Sequence, residues 1–307
     1  MKGSIISHLR THVAFDTCVE KAQVRGIRVT GSEIVGVVPY EAMRQSAVYY
    51  LRRMRKSTGI PVPDLVETAI QSLGLRDVAP FETKEKVLGM PGVDGPLAQR
   101  ATFDFVDAVS RDSPAPGGGS VAALAGALGG ALAAMVANLS VSKGEFDDQY
   151  EALCKIADQG QATKDKLVRG VDQDTAAFDL VIEAMRMPRD TETERDERAT
   201  AMEEGYKVAT CVPLATVEQC RDALRLCAEI APITDPNMVS DVGTGALLAN
   251  AGAQAAAYNV RINLRHIDDA DFGVELGLAG LEQAQRLGHG PCADAVVERP
   301  RHDEVAA

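Results

Sequence analysis

From Val121 to Leu139 the chain carries no charged residue, and nothing else in it limits the fold so strongly. A helix of that length is long enough to cross a bilayer. Gly126 and Gly130 stand in the GxxxG spacing that lets two helices approach closely. The alternative is the central helix of a soluble bundle, and three features favour it. The run is mostly Ala and Gly, which are weakly hydrophobic. It lacks the aromatic and basic flanks of a membrane span. A second Ala/Gly-rich stretch at 242–258 offers a partner, one that carries Asn250 and Gln254 and runs into Asn259. The expectation is two small-residue helices packed backbone to backbone, in an intrachain core or a subunit interface, with no membrane anchor.

The rest of the composition agrees. Hydrophobic residues make up 46% and charged residues 25% of the 307, an ordinary globular balance with enough chain for a real core. Aromatic residues are only 4% and Trp is absent, so helices must meet through small side chains. The net charge of -12 and the pI near 5.0 argue against a nucleic-acid or anionic-membrane surface, which needs concentrated positive charge. The 6 cysteines are scattered without a CxxC pair, and no leader-like segment opens the chain. Cytoplasmic localisation with structural thiols is expected.

Texture divides the chain into residues 1–88, a Gly/Pro-rich linker at 89–98, and residues 99–307. In the first part Ile27–Thr30 alternates and Glu33–Val38 is a β-branched run, both predicting strands; helices are predicted from Glu41 to Arg55 and from Asp64 to Leu73. This mixture is too small for an independent α/β domain. From 99 onward helical windows are broken at Ser113–Gly119, Ser142–Asp147, Met187–Asp190 and Ile230–Asn237. The fold class is therefore mainly α, a multi-helical bundle with a small N-terminal α+β segment. His8 and His12, at i,i+4, could ligate a metal on a helix, but without a third ligand they read as a surface pair and no metal site is expected.

The segment Ser113-Pro114-Ala115-Pro116-Gly117-Gly118-Gly119-Ser120-Val121-Ala122-Ala123 resembles the opening of the cyclodeaminase/cyclohydrolase family, the C-terminal module of formiminotransferase-cyclodeaminase. Further matches follow in the same order: Val171-Asp172-Gln173-Asp174 with Phe178, Pro213-Leu214, Ser240-Asp241, and Tyr258 to Leu264. Upstream, Gly31 to Pro39, Leu73-Gly74-Leu75 and Ala79-Pro80-Phe81 are similar to the tail of the formiminotransferase module. The resemblance implies a cyclodeaminase-like bundle and an ammonia-lyase closing 5-formimino-tetrahydrofolate to the 5,10-methenyl form. The substrate is then a tetrahydrofolate, often a polyglutamate, and no cofactor is required. It implies a homodimer or larger homo-oligomer with pockets at the subunit interface. The transferase module of the family is much longer and keeps its catalytic histidine in a subdomain without a counterpart here. Residues 1–88 are thus expected to be a partial module that performs no formimino transfer alone, with a separately encoded formiminotransferase as a candidate partner. Methenyltetrahydrofolate cyclohydrolase activity and an inactive scaffold are the alternatives.

Such a ring closure needs one group that takes a proton from N10 and returns one to the departing nitrogen. A carboxyl with a raised pKa does both. In the helix read from Gly170 onward, Val171, Phe178, Val181, Ile182 and Met185 form an apolar stripe. Asp174 falls inside it and Asp172 points to a more polar face, so helical phase selects Asp174, where the family's catalytic aspartate also maps. Asp172 is expected to cap. Gly117, Gly118, Gly119 and Ser120 are candidate substrate contacts: the glycines free the backbone to approach a ligand, and Ser120 is the natural N-cap of the long helix. Asn259 and Asn263 share a helix face and suit a heterocycle edge. Asp241, which with Ser240 opens the second small-residue helix, is a lesser candidate for the pterin. For the glutamate tail Lys143 comes first, from the family's basic loop, followed by Lys207, Arg261 and Arg265.

Overall fold

The computed structural model describes residues 10–92, 95–144, 147–269 and 272. Two compact units are resolved, Met1–Gly92 with Ala137–Asp158, and Val93–Val136 with Gln159–Ala307. The division therefore runs through two long helices rather than through the linker alone.

In the first unit, α1 (Thr11–Gln23), α2 (Tyr40–Arg53), α3 (Val62–Ser72) and the single turn α4 (Thr83–Lys86) accompany the two-residue strands β1 (Val38–Pro39) and β2 (Val87–Leu88), paired in parallel. Met43, Ala47, Val66, Ala69, Ile70 and Leu73 fill its core. The helices at 41–55 and 64–73 are present with slightly shifted ends. Of the expected strands only Val38–Pro39 forms, and residues 27–37 are irregular. A strand needs a neighbour to pair its backbone, and Val35 and Val37 face solvent instead. His12 is not a surface residue: it is buried, stacks on Tyr49 at 4.5 Å, and lies 3.3 Å from Ser46 Oγ. His8 lies outside the described residues.

The second unit is organised by α6 (Gly118–Lys143), α7 (Tyr150–Met185), α8 (Glu192–Ile230) and α9 (Val239–Leu264), with the short α5 (Thr102–Val109) before them. Contacts run in opposite senses along α6 and α7: Ala123 meets Gly170, Gly126 meets Leu167, and Ala134 meets Gly160. The same holds for α6 and α9, where Gly126 meets Gly252 and Gly129 meets Gly245. Gly205 of α8 lies against Val181 of α7, and Cys220 of α8 against Gly252 of α9. The four long helices thus form an up-down-up-down bundle.

The Ala/Gly composition explains how closely these helices approach. A Cβ on Gly129 would lie 2.7 Å from the Gly245 carbonyl oxygen, and one on Gly252 would lie 2.7 Å from that of Ala122. Backbone meets backbone, so neither site has room for a methyl group. The two small-residue helices pair within the chain, as one of the two expected arrangements required. By length and composition α6 could cross a membrane; within this bundle 61% of its most apolar window is buried. Burial pushes the Cys220 thiol up to about 12 and the Cys227 thiol up to about 11, in keeping with packing roles. Cys292 lies outside the described residues.

Candidate active site

Both aspartates of the Asp172-Gln173-Asp174 segment lie inside α7, which continues unbroken through Gly170. Gly170 does not start a helix; it admits Ala123, whose Cβ would lie 3.5 Å from a Cβ at that position. Neither aspartate is therefore a cap or a first-turn residue. About 100° of rotation per residue sends the two in different directions, as the stripe analysis required. Along the stripe Val171 and Val181 are buried, Phe178 is half-buried and Met185 is exposed.

Asp172 faces the segment before α5. Its Oδ1 accepts the Leu97 amide at 2.7 Å and its Oδ2 the Ala98 amide at 3.0 Å. The carboxylate rests on Gly95, where a Cβ would come within 2.0 Å of Oδ2. Leu97, held in this way, packs with Phe105, Ala123 and Val171. Asp172 is thus an anchor for the chain entering the bundle.

Asp174 faces the start of α6. A Cβ on Gly119 would lie 2.0 Å from Asp174 Oδ1, so glycine is needed there for the carboxylate to fit. Ser120 follows, fully buried. It is not the N-cap that was expected, because α6 already begins at Gly118 and the hydroxyl points across to α7. Ser120 Oγ donates within reach of the Val171 carbonyl at 2.8 Å and Asp174 Oδ2 at 3.2 Å, and stands 3.3 Å from Thr175 Oγ1. Burial pushes the Asp174 carboxyl above the ordinary aspartate value, and hydrogen bonds from the Ser120 hydroxyl and amide partly oppose that rise. Thr175 and Gly95 were not singled out from the sequence. Their roles come from contacts between segments distant in the chain, which no local pattern announces.

Of the other candidates, Gly118 and Asn259 come together: a Cβ on Gly118 would lie 3.8 Å from Asn259 Nδ2. Gly117 precedes α6, and its carbonyl accepts the Val121 amide at 3.1 Å. The Gly-rich turn, Asp174 and Asn259 therefore occupy one end of the bundle. Asn259 Nδ2 donates to the Ala255 carbonyl of its own helix at 3.0 Å.

Asn263 does something other than face this site. Its Nδ2 donates at 2.6 Å to the carbonyl of Ala209 in α8. That carbonyl is the one a helical N–H at position 213 would bond, and position 213 is a proline. Proline has no N–H and its ring displaces the carbonyl four residues earlier. Asn263 supplies the missing donor.

Asp241 and Lys143 lie elsewhere. Asp241 sits in the first turn of α9, roughly 27 Å of helix from Asn259 at 1.5 Å per residue. Neither it nor Ser240 caps α9, whose N-cap is Met238. Lys143 closes α6, roughly 35 Å of helix from Ser120. Lys207 is surrounded by acids, with Asp269 at 3.1 Å, Glu204 at 3.5 Å and Glu203 at 3.6 Å; Arg261 and Arg265 are exposed. A cleft of about 500 Å³ between α7 and α8 is lined by Leu180, Glu183, Met187, Glu204 and Val208 among others, and does not include Asp174. Among the described residues no group of three or more His, Cys, Asp or Glu side chains is gathered for a metal ion.

The family profile of formiminotransferase-cyclodeaminase matches residues 102–277, and that of the formiminotransferase domain matches residues 5–90. The mouse formimidoyltransferase-cyclodeaminase is 32% identical over 265 residues, covering 85% of this chain and 49% of the mouse protein. The chain spans about half the length of such relatives. The methenyltetrahydrofolate cyclohydrolase of Methylorubrum extorquens is 36% identical over 171 residues, covering 56% of this chain and 82% of that protein. Among solved structures, the formiminotetrahydrofolate cyclodeaminase of Thermotoga maritima superposes with a TM-score of 0.56 at 28% identity, over 64% of this chain and 93% of that one.

Proposed function

The chain belongs to the formiminotransferase-cyclodeaminase family, and on that premise we propose that it is a formimidoyltetrahydrofolate cyclodeaminase with Asp174 as its acid–base group. The observation that carries the reading is the setting of Asp174. It is a half-buried carboxyl, held against Gly119 and hydrogen-bonded by Ser120, in the segment shared with the cyclodeaminase module. With the formimino nitrogen protonated as an amidinium, N10 adds to the formimino carbon. The Asp174 carboxylate takes the proton that N10 then carries and returns it to the amino group of the tetrahedral adduct. The bond from carbon to that nitrogen breaks, ammonia leaves, and the 5,10-methenyl cation remains with Asp174 ionised again. A carboxyl whose pKa is raised toward working pH serves both directions of this transfer.

Asn259 and the neighbouring backbone of Gly117 and Gly118 are the proposed contacts to the pterin, whereas Gly119 and Ser120 are buried against Asp174. Lys143 and Asp241 lie too far along α6 and α9 to join that cluster within one chain. In a homodimer they would contribute only from the second copy, which sedimentation and mixed-variant complementation would test. Cytoplasmic localisation belongs to the same reading.

The cyclohydrolase match favours a second reading, in which the same acid–base group serves exchange with water instead of ammonia. Purified chain given 5-formimino-tetrahydrofolate and 5,10-methenyl-tetrahydrofolate separately, with the methenyl absorbance followed, decides between them. Ammonia-releasing closure is expected, and Asp174→Asn is expected to lower it about 10²- to 10⁴-fold without unfolding the bundle. Turnover of the water reaction alone selects the cyclohydrolase; an Asp174→Asn variant with full activity removes the mechanism.

A further inference from the structure

The geometry points to Ser120 as a positioning residue that keeps Asp174 hydrogen-bonded in both of its protonation states, donating to the carboxylate when it is ionised and accepting from it when it is protonated. The inference rests on the acid–base reading of Asp174 above, and concerns a residue that was expected to cap a helix or touch substrate.

The hydroxyl of Ser120 is sealed from water, with no exposed surface. Three oxygens surround it: Val171 O at 2.8 Å, Asp174 Oδ2 at 3.2 Å and Thr175 Oγ1 at 3.3 Å. A serine hydroxyl has one proton and two lone pairs, so it can donate to only one of them at a time. When Asp174 is ionised, donation to the charged oxygen is the stronger choice. Val171 O then loses nothing essential, because a helical carbonyl has the amide four residues later as partner. When Asp174 is protonated, its O–H donates to Ser120 Oγ, and the serine proton turns to Val171 O. Both states leave the Ser120 hydroxyl and Asp174 Oδ2 bonded to each other, and the change between them is a rotation about one Cβ–Oγ bond.

On the Oδ1 side the carboxylate lies directly against Gly119, where there is no room for a Cβ. Charged neighbours do not supply the effect. From Gly118 to Leu139, α6 carries no charged side chain. On α7, Asp172 is turned to Leu97 and Ala98. On α9 the nearby polar group is the neutral Asn259. Burial and Ser120 are the influences on Asp174 among the described residues.

The test uses the full chain in three forms: wild type, Ser120→Ala, and Ser120→Cys, which keeps the shape and weakens the donor. The protonation of Asp174 is followed by carboxyl infrared difference spectra against Asp174→Asn as pH is varied. Loss of a donor to an ionised acceptor is expected to raise the midpoint by about one pH unit in Ser120→Ala, with a smaller rise in Ser120→Cys. The acid limb of the kcat profile moves with it, while KM stays near wild type. A midpoint unchanged in both variants overturns the role of Ser120. A midpoint that moves in a protein without ring-closing activity upholds it, and overturns the proposed function instead.

Discussion

The bond from Asn263 to Ala209 makes a prediction that separates a structural amide from a substrate ligand. In Asn263→Ala the carbonyl of Ala209, a buried residue, loses the donor that replaces the missing N–H of Pro213. A buried acceptor left unmet costs about 1–3 kcal/mol. Restoring the helix bond by Pro213→Ala should remove most of that cost, because the new amide reaches the same carbonyl. The double variant is therefore more stable than the sum of the single changes implies, with a coupling of about 1–2 kcal/mol. Urea unfolding of wild type, both single variants and the double variant, followed by far-ultraviolet circular dichroism at one pH, measures it. Additivity within about 0.5 kcal/mol refutes the argument that Asn263 stands in for the proline. A variant of unchanged stability with a raised KM would return Asn263 to the substrate.

Three further outcomes follow from the same contacts. Gly252→Ala forces a methyl group to within 2.7 Å of the Ala122 carbonyl and should destabilise the bundle by about 1–3 kcal/mol, read from thermal melts; a neutral result means that α6 and α9 are less closely paired than described. Gly119→Ala should displace the Asp174 carboxylate and lower kcat while folate binding largely persists, as steady-state kinetics and calorimetry would report; unchanged kcat speaks against a fixed carboxylate. Because the folded pKa of Asp174 lies above its unfolded value, its ionisation opposes folding above the folded pKa, and that penalty fades as pH falls through it. Asp174→Asn should therefore stabilise the fold at neutral pH, with the gain shrinking in acid; a gain that grows in acid reverses the sign and the argument.

How far the sequence could be read depended on whether a signal was local. The helix boundaries and the pairing of the two small-residue stretches follow from Gly/Pro punctuation and from the uncharged run at 121–139, and both are present. Helical phase separated Asp174 from Asp172 because the α-helix fixes their relative directions. Where the reading departed, a rule for isolated segments met a contact from elsewhere. Gly170 signals a helix start, yet α7 passes through it, packed against Ala123 of α6 and Thr216 of α8. Ser120 has the chemistry of an N-cap, but its hydroxyl finds partners on α7. The β-branched run at 33–38 has strand propensity and, beyond Val38, no strand beside it. Asn263 shares a face with Asn259, but its partner is dictated by a proline in another helix.

The same logic explains why two aspartates separated by a single residue have different fates. Each carboxylate is pressed against a glycine from another segment, Asp172 against Gly95 and Asp174 against Gly119. The arrangement of donors differs. Asp172 receives two backbone amides, which are fixed in place and can only donate. One of the groups around Asp174 is a hydroxyl, which can donate or accept, and its surroundings are buried enough to raise the carboxyl's pKa. A group that must take up and release a proton in each cycle is better served by a reversible partner than by fixed amides. Replacing Ser120 should therefore impair the exchange of protons at Asp174 more than it impairs folding, whereas replacing Asp172 should chiefly loosen residues 95–98. Hydrogen exchange at the Leu97 and Ala98 amides of Asp172→Ala would register that loosening, and equal protection in both proteins would show that the anchor is not needed.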